Sequence, residues 1–286
     1  MVKLLFMKTW ILSLLVLSMV SSEALQVSGA SVPAAEIKAG QAIESQWKGK
    51  KVAYLGDSIT DRHHVGTSSN YWQYLDIYLG TEAWVYGING ADWNGVLGQA
   101  QKLKAEKGDD VDAIIVFAGT NDYNGGVPLG DWWSTTNQLI ECWGKKMEVR
   151  ARRLPNRNQG TFRGRINVVL DYLRTNFPRQ QIILLTPIHR GYATFGGGNI
   201  QPEESYPNTR GLYIGDYVEA VKEASNVWAV PVIDLNSVSG LYPLNSEHLR
   251  YFNDVKTDQL HPNAAGHERM ARAIAYQLLA YPANFK

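Results

Sequence analysis

Val52-Ala53-Tyr54-Leu55-Gly56-Asp57-Ser58-Ile59-Thr60 is the stretch that decides how this chain is read. Four apolar residues run into a glycine and then a serine. The run has the length of a short strand, and Gly-Asp-Ser has the composition of a tight turn. A serine at the carboxyl end of a parallel strand is a common way to present a nucleophile at the edge of an α/β sheet. Gly-Asp-Ser is also ordinary turn chemistry, so its meaning depends on what the rest of the chain brings to it.

Outward from this stretch, strand and helix patterns alternate. Helical spacing of apolar residues covers Tyr71 to Leu79, Val96 to Lys107, Gly164 to Phe177, Leu212 to Ser225 and Ala264 to Leu279. Ile166, Val169, Leu170 and Leu173 form one such stripe. Strands are predicted at Ala83 to Tyr86, Ala113 to Phe117, Gln181 to Thr186 and Val230 to Leu235. Ala113 to Phe117 is continuously apolar, as a strand buried on both faces must be. Five strands alternating with helices predict a parallel sheet with right-handed crossovers, and ligands in such sheets bind at the carboxyl ends of the strands. Two long loops, 123–159 and 187–208, interrupt the pattern. The first carries Trp132-Trp133 and the basic run Arg150-Ala151-Arg152-Arg153, the second Gly196-Gly197-Gly198. Loops of this length in a compact domain tend to be functional.

Residues 1–24 read as a secretory leader: Lys3 and Lys8, an apolar stretch from Trp10 to Val20, then Ser21-Ser22-Glu23-Ala24. The stretch is too short for a comfortable membrane span. The expectation is a secreted or periplasmic protein with a polar lead-in at 25–49 and one catalytic domain over 50–286. The full chain carries a formal charge of +1, and Lys3, Lys8 and Glu23 leave with the leader. A balanced charge gives no reason to expect nucleic acid or an anionic membrane as partner. Cys142 is the only cysteine, so no intrachain disulfide forms. It is expected to be a packed small hydrophobe.

Acyl transfer by serine needs a nucleophile, a base, an acid that orients the base, and donors for the oxyanion. Ser58 is the candidate nucleophile. Asp258-Gln259-Leu260-His261-Pro262 supplies acid and base three residues apart, just before the last helix. His261 is placed to bond Ser58 while Asp258 holds its other ring nitrogen. Asn121, in Gly119-Thr120-Asn121-Asp122, follows the strand Ala113 to Phe117 and offers a side-chain amide. Gly90, in Gly87-Ile88-Asn89-Gly90, offers a backbone N–H with no side chain in the way. The Ser58 amide is the third donor.

These four segments resemble the blocks of the SGNH (GDSL-type) hydrolase family, in the same order and with wide spacing. Gly56-Asp57-Ser58-Ile59 resembles the nucleophile block, Gly90 the glycine block, Gly119-Thr120-Asn121-Asp122 the asparagine block, and Asp258-Gln259-Leu260-His261 the Asp/His block. The resemblance spans Lys51 to Leu279. It implies a three-layer, flavodoxin-like α/β/α sandwich around a five-stranded parallel sheet, ester hydrolysis, and no metal or organic cofactor. The insert after Asp122 and the run Ala91-Asp92-Trp93 after Gly90 depart from the family pattern and leave substrate fit open.

The expectation is an exported serine esterase acting on short acyl esters, acetyl above all, of small or polymeric carbohydrates. A lipase, lysophospholipase or thioesterase is the alternative within enzymes, and an inert glycan-binding protein the alternative outside them. Trp93, Trp132, Trp133 and His189 are candidates for substrate contact, with core packing the other reading of the tryptophans. Asp57 and Asp122 are expected to brace their loops. His63, His64 and His248 are expected on the surface. The run Arg150 to Arg153 is expected as a solvated face, with an acidic polysaccharide as the alternative partner.

Overall fold

A computed structural model of the protein describes residues 45–286. The predicted leader, residues 1–24, and most of the lead-in lie outside the described residues. The end of the lead-in is packed: Trp47 is fully buried, and its Nε1 donates to the Leu278 carbonyl at 2.6 Å.

The elements in chain order are β1 (Lys51–Gly56), α1 (Tyr71–Leu79), β2 (Glu82–Val85), α2 (Trp93–Lys107), β3 (Ala113–Phe117), α3 (Thr120–Asn124), β4 (Trp133–Cys142), β5 (Lys146–Pro155) and α4 (Phe162–Asn176). They continue with β6 (Gln181–Leu185), β7 (Ala193–Thr194), β8 (Ile200–Gln201), α5 (Ile214–Trp228), β9 (Val232–Ile233), α6 (Leu235–Val238), a 3₁₀ turn (Ser246–Tyr251), β10 (Phe252–Asp254), β11 (Asp258–Pro262) and α7 (Ala264–Leu278).

The central sheet has the order β2-β1-β3-β6-β9, and every pairing in it is parallel. Alternate residues of its strands feed two cores. Val52, Tyr54, Ile115 and Ile183 face α1 and α7, with Tyr71, Leu75, Met270 and Ile274. Ala53, Leu55, Ile114 and Ile182 face α2, α4 and α5, with Val96, Ile166, Leu170 and Val221. Each fully buried aliphatic side chain stabilises this arrangement by about 1.5–3 kcal/mol. Three layers, helix–sheet–helix, result.

The chain runs from β1 outward to β2 and then crosses back to β3 on the other side of β1. The strand order therefore reverses between β1 and β3, and a crevice opens at their carboxyl ends. Two caps start helices at this edge. Asp92 accepts from the Gly95 N–H at 2.9 Å and begins α2 just after Gly90. Asn263 accepts from the Ala265 and Gly266 N–H groups and begins α7 just after His261 and Pro262.

Both long insertions hold regular structure where the sequence pattern predicts loops. Residues 123–159 contain the antiparallel hairpin of β4 and β5, ten residues a strand. Residues 187–208 contain the short hairpin of β7 and β8. It joins β10 and β11 in a second sheet of order β10-β11-β7-β8. Asp258 and His261 thus sit on a strand, β11, directly before α7. Cys142, expected to be packed, is half-exposed at the end of β4.

Candidate active site

Ser58 lies in the turn that ends β1. The Asp57 carbonyl accepts from the Thr60 and Asp61 N–H groups, and the Asp57 carboxylate accepts from the Ile59 N–H at 3.0 Å. Gly56 is required by crowding: a Cβ there would collide with the Phe117 carbonyl of β3 and lie 2.7 Å from Thr60 Oγ1. Gln99, from α2, holds the Gly56 peptide at both ends. Its Nε2 donates to the Gly56 carbonyl at 2.8 Å, and its Oε1 accepts from the Gly56 N–H at 2.7 Å. A buried side chain thus clamps the Gly56 peptide, whose carbonyl also accepts from the Ile88 N–H at 3.1 Å.

Ser58 Oγ is 2.9 Å from His261 Nε2. His261 Nδ1 is 3.0 Å from both Asp258 carboxylate oxygens. Asp258 Oδ1 also accepts from the His261 backbone N–H at 3.0 Å, and Oδ2 from Asn253 Nδ2 at 2.9 Å. Burial pushes the Asp258 carboxyl up, but the hydrogen bond and charge of His261 and the Asn253 amide outweigh it and leave the group below its ordinary value. An ionised Asp258 accepts the Nδ1 proton, which leaves Nε2 as the acceptor for the Ser58 hydroxyl. Ser58, Asp258 and His261 are all buried to within a few per cent.

Gly90 and Asn121 line the same cleft as Ser58 and His261. Asn121 Nδ2 donates one hydrogen to the Ala91 carbonyl at 2.9 Å. An amide nitrogen carries two, so the second remains for another acceptor. Gly90 has φ +78°, and a Cβ there would meet nothing within 4 Å. Glycine is demanded here by the left-handed backbone; the expected crowding is absent. Asp61 Oδ2 accepts from the Asn89 N–H at 2.7 Å and pins this loop to the nucleophile turn. Asp122 is fully buried, accepting from the Trp93 N–H at 3.1 Å and from Arg165 at 2.8 Å. Burial, against the Arg165 guanidinium, pushes the Asp122 carboxyl up to about 7. Asn121 and Asp122 therefore tie α3 to the start of α2, fixing two candidate oxyanion donors relative to one another.

The cleft encloses about 240 Å³, and its remaining lining is Val65, Asn89, Phe195, Asn199, Gln201 and Leu260. Phe195, at the end of β7, stands with its ring 5.4 Å from the His261 ring. Gln201 is held from behind by the buried Arg190 at 2.8 Å and by Asn124 at 2.6 Å. Asn89, Asn121, Asn199 and Gln201 put four neutral amides around the serine. Sequence reading missed Phe195, Asn199 and Gln201. The only signal for them was the length and glycine content of 187–208.

None of the four expected substrate contacts lines this cleft. Trp93 is fully buried at the start of α2 and belongs to the core. Trp132 donates to Glu223 at 2.7 Å, and Trp133 lies under Arg153 at the base of the β4–β5 hairpin. His189 is 2.6 Å from Glu204 and set edge-on to Tyr242. His267 is fully buried, and its Nδ1 accepts from the Tyr71 N–H at 3.1 Å. Burial, with His261 and His64 nearby, pushes its imidazole down to about 3, so it stays neutral. Of the other histidines, His63 is exposed beside Asp61, and His248 accepts from the Tyr242 N–H. Among the described residues, no three His, Cys, Asp or Glu side chains gather as a metal site, and no helix is long and apolar enough to cross a membrane.

A family model described as "GDSL-like Lipase/Acylhydrolase family" matches residues 54–269. The chain is similar to a multidomain esterase from Ruminococcus flavefaciens, with 25% identity over 243 residues. The match covers 81% of this chain and 28% of that protein, so this chain spans little more than a quarter of its relative. A crystal structure of a Lactobacillus plantarum protein superposes with a TM-score of 0.63 at 26% identity, covering 82% of this chain and 98% of that one. A possible lipase from Chitinophaga pinensis DSM 2588 superposes with a TM-score of 0.59 at 20% identity, covering 80% and 97%, a likeness of fold.

Proposed function

The chain belongs to the GDSL-like lipase/acylhydrolase family, and from that premise we propose an exported serine esterase that removes short acyl groups, acetyl above all, from carbohydrate hydroxyls. The observation that carries the reading is the unbroken hydrogen-bond chain Ser58–His261–Asp258, with separations of 2.9 and 3.0 Å. In this reading Ser58 Oγ attacks the ester carbonyl and passes its proton to His261 Nε2. Asp258 steadies the imidazolium through Nδ1–H. The carbonyl oxygen gathers negative charge among the Ser58 and Gly90 N–H groups and Asn121 Nδ2. His261 returns the proton to the departing alcohol, leaving an acyl-Ser58. Water, deprotonated by the same imidazole, then frees the acid and restores the serine.

The substrate half of the proposal rests on the character of the cleft. It is small, and apart from His261 it has no acidic or basic side chain at its wall. Four amides offer donors and acceptors suited to neutral hydroxyls, and Phe195, Val65 and Leu260 offer a short apolar wall suited to a small acyl group. Export rests on the leader pattern of residues 1–24. Acetate release from acetylated plant-type glycans, by wild type and Ser58→Ala, tests the proposal. Release by wild type alone is expected, and equal release by both sinks it. A preference for nitrophenyl esters of eight carbons or more would favour a lipase-type substrate instead.

A further inference from the structure

We propose that the β4–β5 hairpin is a dimerisation arm whose partner is the same hairpin face of a second copy of this chain. From Ser134 to Leu154 every residue except Cys142 is exposed, on both faces of the ribbon. Its strands, ten residues each, extend for about 30 Å. A two-stranded ribbon covered on neither face is marginal in water. This one therefore needs a partner that the described residues do not supply.

The register identifies which face. Trp133 pairs with Pro155, Thr135 with Arg153, Asn137 with Ala151, Leu139 with Val149, and Glu141 with Met147. These five rungs point the same way, because side chains alternate along a strand. Arg153 lying 5.0 Å over the Trp133 ring agrees with this. Leu139, Met147 and Val149 are 58%, 58% and 68% exposed, an apolar cluster facing water. The opposite face has no such cluster: Ile140 and Leu154 are exposed on it but three rungs apart, and between them the charges are paired within the ribbon, Arg150 to Glu148 at 2.8 Å and Arg152 to Gln138 at 2.8 Å. The apolar face is the one without a partner. A sugar polymer is a poor occupant, since no row of free aromatic rings runs along it and Trp133 is covered by Arg153.

Charge placement selects a second copy and its direction. Glu141 lies toward the tip of this face and Arg153 toward its base. A two-fold axis between the Asn137/Ala151 and Leu139/Val149 rungs stacks two ribbons antiparallel. The small Ala151 then receives the partner's Val149. Arg153 arrives at the partner's Glu141/Met147 rung, with its stem on the methionine and its guanidinium beside the carboxylate. Symmetry repeats the pair, as in any isologous interface. Parallel stacking would set each rung over its own copy and leave both charges unmatched.

Sedimentation equilibrium of the purified protein at micromolar concentrations tests the arm, and it reads association independently of any esterase activity. A dimer is expected. Glu141→Lys or Arg153→Glu alone weakens it roughly tenfold or more by setting like charges together. The double variant Glu141→Lys/Arg153→Glu restores it, and Arg152→Ala on the opposite face leaves it intact. Leu139→Lys abolishes it. All these positions are exposed, so the fold is kept, which circular dichroism verifies. A monomeric wild type overturns the proposal, as does a dimer indifferent to Leu139→Lys. A monomer that instead binds an acidic polysaccharide through Arg150 and Arg152 overturns it too, and makes the charged face the working one.

Discussion

Asn121→Ala removes one side-chain amide from the cleft and nothing else of size. In the structure Asn121 Nδ2 spends one hydrogen on the Ala91 carbonyl at 2.9 Å and keeps the other for the cleft it shares with Ser58 and Gly90. If that hydrogen meets the oxyanion, it is one of three donors that tighten as charge develops. Losing one such donor costs about 3–4 kcal/mol, or roughly 10²–10³ in kcat. The ground-state carbonyl gains little from it, so KM should stay within about twofold. The freed Ala91 carbonyl adds a stability loss of about 1 kcal/mol, small enough for the variant to fold. Asn121→Asp keeps the volume but sets a carboxylate where negative charge must grow, so it should lose at least as much. The assay is steady-state hydrolysis of nitrophenyl acetate, with urea unfolding of each variant as the fold control. A fall in kcat of less than about threefold, or a loss confined to KM, would refute Asn121 as an oxyanion donor.

Two other perturbations probe the cleft and the nucleophile turn. Phe195→Ala removes the ring that stands 5.4 Å from His261 and bounds the cleft. The ratio of kcat/KM for hexanoyl over acetyl esters should rise about tenfold, in line with the worth of a methylene or two in an apolar pocket; an unchanged ratio removes Phe195 from acyl selection. Asp57 is 2% exposed, and burial pushes its carboxyl up to about 6, against the Ile59 N–H and the charges of His261 and Arg190. A folded value above the ordinary 3.8 means the fold prefers the protonated acid. Its contribution to stability is full below 3.8 and is lost as pH rises through 6, a swing of about 3 kcal/mol. Asp57→Asn, which keeps the acceptor for Ile59, should therefore be more stable than wild type at pH 8 by up to that amount, with the gap closing toward pH 4. Urea midpoints at both ends of the range measure it, and a gap independent of pH contradicts the assignment.

The central strands were legible because parallel strands covered on both faces must be apolar throughout, as Ala113 to Phe117 is. Ser58, Asp258 and His261 were legible because short-range spacing and strand ends fix where such side chains emerge. Gln99, Asp61 and Arg165 were not. Each acts through a partner distant in sequence, or through a backbone group whose need depends on packing, and neither leaves a local pattern. The β4–β5 hairpin hid for a different reason. In β5 apolar Met147, Val149 and Ala151 do alternate with charged Glu148, Arg150 and Arg152, the period of a strand. Reading the segment by its net basic charge masks that period, and its flanking glycines suggest a loop. Trp93 shows the reverse error. Its place beside the Gly90 turn suggests exposure, yet it is the first residue of α2 and turns inward against Phe162.

The central claim is that Ser58 is a nucleophile activated by His261. Mass mapping of the protein after treatment with a fluorophosphonate probe tests it most directly. One adduct per chain on the peptide that contains Ser58, absent from Ser58→Ala and strongly slowed in His261→Ala, is the predicted result. An adduct on another residue, or ester hydrolysis that persists undiminished in Ser58→Ala, would contradict it.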